Sequence, residues 1–467
     1  MRTLATRASL PEAVALSLSI ICPSATAAFN VALVAQAMGP AAPLGFAIGT
    51  LAMALVAVSF MAFTQRVAHA GSAYAYIAHT FGKRLGFIAG CALLLTYVTF
   101  ASGMAALVGS FLAAALEGLG LAVGKAWLYI GAAAMLLAFW LARRDLRLAG
   151  RVMLLLEAVV VVAIIGLCAK ILLEVRPSAA DTAATFTPAA SFHGWSGVGV
   201  GMVFSILSFA GFEGAAVLGE ETRDPKRNIP VALFCTVIGS GLFFVFVAYS
   251  EVLGFGFASI GELGKSQAPL NDLALRYGSP RFAVALDVAV AASCFSSVLG
   301  PLSAAGRILF SIGRGGLSRR LAAVHPVHGT PFSALATTTT FVILGFALWA
   351  PFVGAANYYS YSSTIGVLAL ILVYIGVSAA EIVESWRERR RLWSAVCALG
   401  PVLLLWVLYG NLVPVPEYPN NVWPYVTLAW LLLAWVVSRV RPRVTSALLA
   451  DYRRDRAVSP GGDSTNA

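Results

Sequence analysis

The sequence predicts an all-α integral membrane protein of twelve transmembrane helices, and three observations carry that prediction. Hydrophobic residues make up 59% of the chain and charged residues 11%, with a mean hydropathy of +0.84. Soluble domains carry about 25% charged residues. Twelve apolar runs are long enough to cross the bilayer as helices, for which about 20 residues suffice. The runs are neither short nor alternating, as β-barrel strands would be. Finally, the basic residues alternate sides between consecutive runs. With the N-terminus inside, 26 of the 32 Lys and Arg face the cytoplasm, and only Lys125, Lys170, Arg176, Lys265, Arg276 and Arg281 face out. This charge bias orients membrane proteins, so both termini are expected on the cytoplasmic side of the cell (inner) membrane. The net charge of +11 therefore reflects topology and the lipid surface, not a nucleic-acid partner.

The first span, about 11–36, opens like a secretory signal: Arg2 and Arg7, an apolar Val14 to Ile21, and a small-residue Ala25-Thr26-Ala27. Cleavage there would leave eleven spans with reversed charge bias, so the segment is kept as a span. Cys22-Pro23-Ser24-Ala25-Thr26 interrupts it, because a proline inside a helix removes a backbone hydrogen bond and clashes with the preceding turn. The second span is about 43–64. A cytoplasmic turn from Arg66 to Phe81 carries His69 to Tyr76, and the third span, about 84–112, opens with Gly82, Gly86 and Gly90 as a close-packing face. The fourth (about 127–142) ends in Arg143-Arg144-Asp145, and the fifth (about 152–173) carries Glu157 inside the membrane.

A polar external segment, 176–196, leads to the sixth span, where Ser208-Phe209-Ala210-Gly211-Phe212-Glu213-Gly214 replaces the expected Leu and Val. A carboxylate at mid-membrane depth costs about 2.5–3.5 kcal/mol on insertion scales, and is seldom without a function. Glycine weakens a helix by about 1 kcal/mol per residue, and unwound backbone within the bilayer is tolerated where it lines a cavity. The stretch reads as a second broken helix at a binding site. The competing reading makes Gly211 and Gly214 packing contacts and pairs Glu213 with a neighbouring helix.

The seventh span (about 230–253) is expected to have Pro230 in its first turn with Asn228 as its cap, and the external stretch 254–280 to form short interfacial helices. The eighth (about 281–305) carries Asp287 and the hydroxyls Ser293, Ser296, Ser297 and Ser303. Spans nine (about 332–351), ten (about 357–380, opening Asn357-Tyr358-Tyr359-Ser360-Tyr361-Ser362-Ser363), eleven (about 393–413) and twelve (about 423–440) complete the set. Residues 441–467 are charged and Ser/Gly-rich, and are expected to be a disordered cytoplasmic tail. The six cysteines fall in apolar runs without metal-ligand spacing, so buried thiols are expected and no cofactor or metal is implied.

Broken spans one and six lie five apart and cross in opposite directions, as a five-plus-five inverted repeat would place them. The repeats would be about 11–175 and 197–380, followed by two extra helices at about 393–440. Half-helix N-termini attract anionic groups and unwound carbonyls attract cations, a geometry that suits a zwitterionic α-amino acid.

His69 to Tyr76 with Phe81-Gly82, the Ser208-to-Glu213 core, Glu220 to Pro230, and Arg307 to Pro331 together resemble the amino acid-polyamine-organocation superfamily of secondary transporters, in its amino acid permease branch. The resemblance implies alternating-access transport with a site on the backbone of spans one and six: Pro23, Ser24, Ala25 and Thr26, and Leu207, Ser208, Phe209, Ala210 and Gly211. Members with Gly-Ser-Gly in the first span differ from this chain, whose Pro23 has no N–H to donate. Family members with a fifth-span lysine in place of sodium differ too, since no lysine lies between Arg151 and Lys170 and Glu157 occupies that region.

Phe212, Glu213, Glu157, Ser296 and Ser297 are the coupling or gating candidates, with proton coupling through Glu213 or Glu157 set against sodium at the serines, which could equally bond their own helix. The expected ligand is a neutral amino acid. An amine such as ethanolamine or a polyamine is the alternative, and a non-transporting amino acid sensor is the alternative of another class. An intramembrane enzyme is not expected: all five histidines (His69, His79, His193, His325 and His328) fall in predicted loops, and neither H-E-x-x-H nor G-x-S-x-G occurs.

Overall fold

A computed structural model describes residues 10–66, 73–143, 147–214, 224–324, 330–413, 415–442 and 444–445. His69 to Ser72, Glu220 to Arg223, His325 to Gly329 and nearly all of the expected tail lie outside the described residues.

The described chain is helical throughout, with no strand among the described residues. Its helices are α1 (Leu10–Ile21), α2 (Pro23–Ala25), α3 (Val31–Met38), α4 (Ala42–Arg66), α5 (Ala73–Phe81), α6 (Lys83–Gly118), α7 (Ala126–Ala142), α8 (Arg147–Val175), α9 (Ala179–Thr185) and α10 (Gly194–Leu207). They continue as α11 (Pro225–Phe255), α12 (Ile260–Leu263), α13 (Pro269–Tyr277), α14 (Pro280–Ile312), α15 (Phe332–Val353), α16 (Ala355–Arg387), α17 (Arg391–Gly410) and α18 (Trp423–Val440). Among the described residues nine helical segments are long and apolar enough to cross a membrane, and Ala126–Ala142 and Gly194–Leu207 are shorter apolar helices.

Local chemistry explains several boundaries. Proline at the first helical position starts α14, where Ser279 Oγ accepts from the Phe282 N–H at 3.3 Å. Proline also starts α11, but at Pro225, with Asp224 before it. That corrects the expected start: Pro230 lies inside the helix and Asn228 is not its cap, because Pro225 already supplies the fixed φ that begins the first turn. Outside the bundle, Ser178 and Asp181 form a capping box on α9, and the Ser178 hydroxyl and amide hold the Asp181 carboxyl below its ordinary range. The stretch 254–280 forms the expected short helices, α12 and α13 among them.

Long helices α14 and α16 both pack along α6, and α4 lies along α11. Helix α5, in the segment expected as a loop, rests on α6 because Gly86 lets Ala78 approach so closely that a side chain at 86 would overlap it. His79 therefore sits on a helix, not in a loop. Five of the cysteines are buried free thiols as expected, whereas Cys235 is exposed on the outer side of α11. Large apolar side chains such as Leu155, Leu173, Phe341, Leu392 and Leu433 cover the periphery, the pattern of helices whose solvent is lipid.

Candidate functional site

The two interruptions foreseen in the first and sixth apolar runs are both present. At the first, α1 stops at Ile21, Cys22 adopts a left-handed backbone (φ 51°), and the helix restarts at Pro23. The Thr26–Asn30 stretch that follows is π-helical, a widened turn of the kind that recurs at functional positions. At the second, α10 stops at Leu207 and Ser208 to Glu213 run as turns, with Gly211 at φ 99°, a conformation that glycine reaches without a Cβ clash.

Accounting for the backbone donors shows what each break offers. At the first, Pro23 has no N–H, Ala25 N–H bonds the Cys22 carbonyl at 3.0 Å and Thr26 N–H bonds Pro23 O. Ser24 N–H leaves the backbone altogether and donates to Glu157 Oε1 at 2.9 Å. At the second, the N–H groups of Phe209, Ala210 and Phe212 close tight turns on Ile206, Leu207 and Phe209 carbonyls.

Side chains then join the breaks to each other and to the surrounding spans. Asn30 donates through Nδ2 to Ser208 Oγ at 3.0 Å and to Thr26 Oγ1 at 3.4 Å, and its Oδ1 accepts from the Tyr359 hydroxyl at 2.8 Å. Ser17 Oγ donates to the Phe212 carbonyl at 3.0 Å, tying α1 to the sixth break. On the far side of the first break, Ser24 Oγ lies 2.9 Å from Glu157 Oε2 and 2.7 Å from Ser293 Oγ. Ser293 also donates to that carboxylate, and Cys22 Sγ lies 3.1 Å from Ser293 Oγ.

Between the breaks lies a small cavity of about 30 Å³, walled by α1, the π-helical turn, α6, the sixth break, α14 and α16. Its polar lining comprises Thr26, Asn30, Thr96, Tyr97, Glu213, Ser297, Tyr359 and Ser363, and no Lys, Arg or His is among the described lining residues. Glu213 is buried, with Oε2 accepting from the Tyr374 hydroxyl at 3.0 Å. Beside it, Phe60, Phe212 and Tyr374 stack edge to face at 5.2–5.8 Å between ring centres, and Tyr76 of α5 meets Phe60 at 6.0 Å. These fully buried rings form one aromatic cluster.

Of the residues singled out in sequence, Thr26, Leu207, Ala210, Gly211, Glu213 and Ser297 line this cavity. Pro23, Ser24 and Ala25 are buried but do not line it, and Ser24 turns to Glu157 instead. Ser208 is engaged by Asn30, while Phe209 packs edge-on against Phe244 at 5.1 Å and Phe212 joins the aromatic cluster. Ser296 bonds the Ser293 carbonyl of its own helix at 2.5 Å, whereas the Ser297 hydroxyl is buried without a partner. Among the described residues no group of three or more His, Cys, Asp and Glu could hold a metal. Asn30, Tyr359, Tyr374 and Cys22 enter only with the structure. The available signals were polarity inside an apolar run for Asn30 and the Tyr/Ser-rich opening of the tenth run for Tyr359.

Comparison with known proteins gives a consistent picture. The family model described as amino acid permease matches residues 9–437. The chain is 27% identical over 301 residues to the low-affinity putrescine importer PlaP of Escherichia coli, covering 62% of this chain and 63% of that protein. It is 26% identical over 297 residues to the branched-chain amino acid permease BcaP of Lactococcus lactis, covering 61% and 63%. It is 27% identical over 322 residues to the methylthioribose transporter of Bacillus subtilis, covering 64% and 65%. The chain thus spans a little under two-thirds of the length of these curated relatives.

Proposed function

Because the chain belongs to the amino acid permease family and is a multi-pass membrane protein, we propose that it is a secondary active transporter moving a small amino-bearing solute across the cytoplasmic membrane by alternating access. The observation that carries this reading is the cavity bounded by both helix breaks, with Glu213 as the charged group in its described lining. A transporter needs a mid-membrane site that two half-bundles can expose in turn, and broken helices let each half move about a fixed site. The reading counts twelve spans, with α1 to α3 as the first and α10 with its following turns as half of the sixth, in two inverted repeats of five and two further helices. Both termini are cytoplasmic on this reading, from the distribution of basic residues.

Proton coupling is proposed through Glu213 or Glu157, each buried at one of the two breaks. Sodium at the eighth-span serines is the second possibility, and the unpartnered Ser297 hydroxyl is the observation in its favour. For the ligand, the breaks favour a neutral amino acid as the sequence suggests, while a described lining without Lys, Arg or His favours an amine. Uptake of radiolabelled amino acids and amines into proteoliposomes carrying the purified protein, with and without a proton gradient, tests the proposal. Saturable, gradient-dependent uptake is expected. Binding without any flux would instead make the protein a sensor.

A further inference from the structure

Four arginines, Arg387, Arg389, Arg390 and Arg391, fall within five residues between Trp386 and Trp393. Helix α16 ends at Arg387 and α17 begins at Arg391, so the run stands where two apolar helices leave the hydrocarbon and meet the phosphate level of the bilayer. The turn between them is fixed. The N–H groups of Arg389 and Arg390 close on the Trp386 and Ser385 carbonyls at 3.0 and 2.9 Å, and Ser385 Oγ lies 2.7 Å from Ser394 Oγ. Trp393 Nε1 donates to the buried Glu381 carboxyl group at 3.1 Å.

Only part of the charge is neutralised within the turn. Arg387 pairs with Glu384 at 3.0 Å and Arg390 with Glu388 at 3.8 Å, whereas Arg389 and Arg391 have no carboxyl partner among the described residues. The Arg390 guanidinium stands 5.3 Å from the Trp393 ring centre and that of Arg391 5.9 Å from the Trp386 ring centre. A cation resting on an indole is oriented before a ligand arrives, so less side-chain freedom is lost on binding. Arg389 holds a left-handed backbone, φ 61°, that glycine would take with less strain, yet the position carries a charge.

An arginine fork matches the paired oxygens of a phosphate. Beside the arginines, Trp386 and Leu392 are 63% and 87% exposed, and Val396 and Leu399 continue from Leu392 along one face of α17. A cationic crest above an exposed apolar face fits a molecule with an anionic phosphate at one end and hydrocarbon at the other. A zwitterionic headgroup would set its own cation against the uncompensated arginines.

We propose that the turn between α16 and α17 binds the headgroup of an anionic phospholipid, with Arg389 and Arg391 on the phosphate and an acyl chain along the Leu392 face of α17. The site lies apart from the cavity, and the proposal does not depend on the transport reading.

Native mass spectrometry of the full-length purified protein would compare dioleoyl phosphatidylglycerol with dioleoyl phosphatidylcholine, which share their acyl chains, and use inorganic phosphate as a competitor. A basic residue near an anionic lipid contributes about 5-fold in affinity, so the two arginines should give phosphatidylglycerol an advantage of about 25-fold. Salt should reduce that advantage, and inorganic phosphate at the lipid's concentration should not displace the lipid. Arg389→Gly relieves the left-handed backbone, so it lowers lipid preference without straining the turn; a loss of about 5-fold is expected, and nearly all of the preference should go in Arg389→Gly/Arg391→Gln. Arg319→Gln/Arg320→Gln removes two exposed charges that follow α14 and should keep the preference. An equal loss in that control reduces the effect to net charge and overturns the site. Equal wild-type affinity for the two lipids, displacement by inorganic phosphate, or an unchanged preference in the folded double variant at Arg389 and Arg391 overturns it as well, and each of these leaves the transport reading untouched.

Discussion

Asn30 and Ser208 are joined by a 3.0 Å hydrogen bond across 178 residues of chain, so the two broken helices are fastened to each other at the cavity wall. The π-helical turn makes this contact available. By widening the helix around Asn30 it leaves an amide at the apolar centre that has no use there except to bridge Ser208, Thr26 and Tyr359.

Asn30→Ala should therefore cut uptake more than it cuts stability. It strands the Tyr359 hydroxyl, and an unsatisfied buried polar group costs about 1–3 kcal/mol, equivalent to roughly a 5- to 150-fold loss when borne by the ligand-binding conformation. Uptake by monodisperse protein, compared with its thermal midpoint, checks this. Normal uptake in the variant would show that the bridge is incidental.

Glu213→Gln should flatten the pH dependence of uptake, since glutamine keeps the shape but cannot exchange a proton. Tyr374→Phe removes the hydroxyl that donates to Glu213 and should move the same pH profile without abolishing it. Hydrogen bonds to a charged group are worth about 1.5–3 kcal/mol, so a shift of one to two pH units is the expected scale. Initial rates across pH 5–9 at fixed membrane potential are the measurement, and an unaltered profile in Glu213→Gln transfers the coupling role to Glu157.

Gly211→Val should abolish ligand binding. A β-branched residue at φ 99° is strongly disfavoured, with strain of about 1–3 kcal/mol, so the variant is pushed toward a continuous sixth helix whose backbone no longer turns at the cavity. Binding to folded Gly211→Val by calorimetry is the check. Wild-type affinity there would reduce Gly211 to a packing glycine.

A reporter that is active only outside the cytoplasm, fused after residue 467, should stay silent, because 26 of the 32 basic residues fall on the side shared with the C-terminus. The same reporter placed between Ala179 and Ser191 should be active. The reverse pattern in a functional fusion would invert the topology.

Membrane residence, the helical runs and both interruptions were legible in the chain because they depend on local properties: hydropathy over about 20 residues, a proline inside a run, glycines beside a carboxylate. The same local reading put the start of α11 near Pro230 when Pro225 begins it, and left α5 as a loop, since a short amphipathic helix held by packing on Gly86 has no signature of its own length. The chemistry of the site was decided elsewhere. Nothing near Ser24 in sequence indicates that its N–H belongs to Glu157, or that Asn30 belongs to Ser208 and Tyr359, because those partners lie 133, 178 and 329 residues away. A backbone break exposes donors and acceptors by local propensity, but whether they remain for a ligand depends on which side chains the packed bundle brings against them.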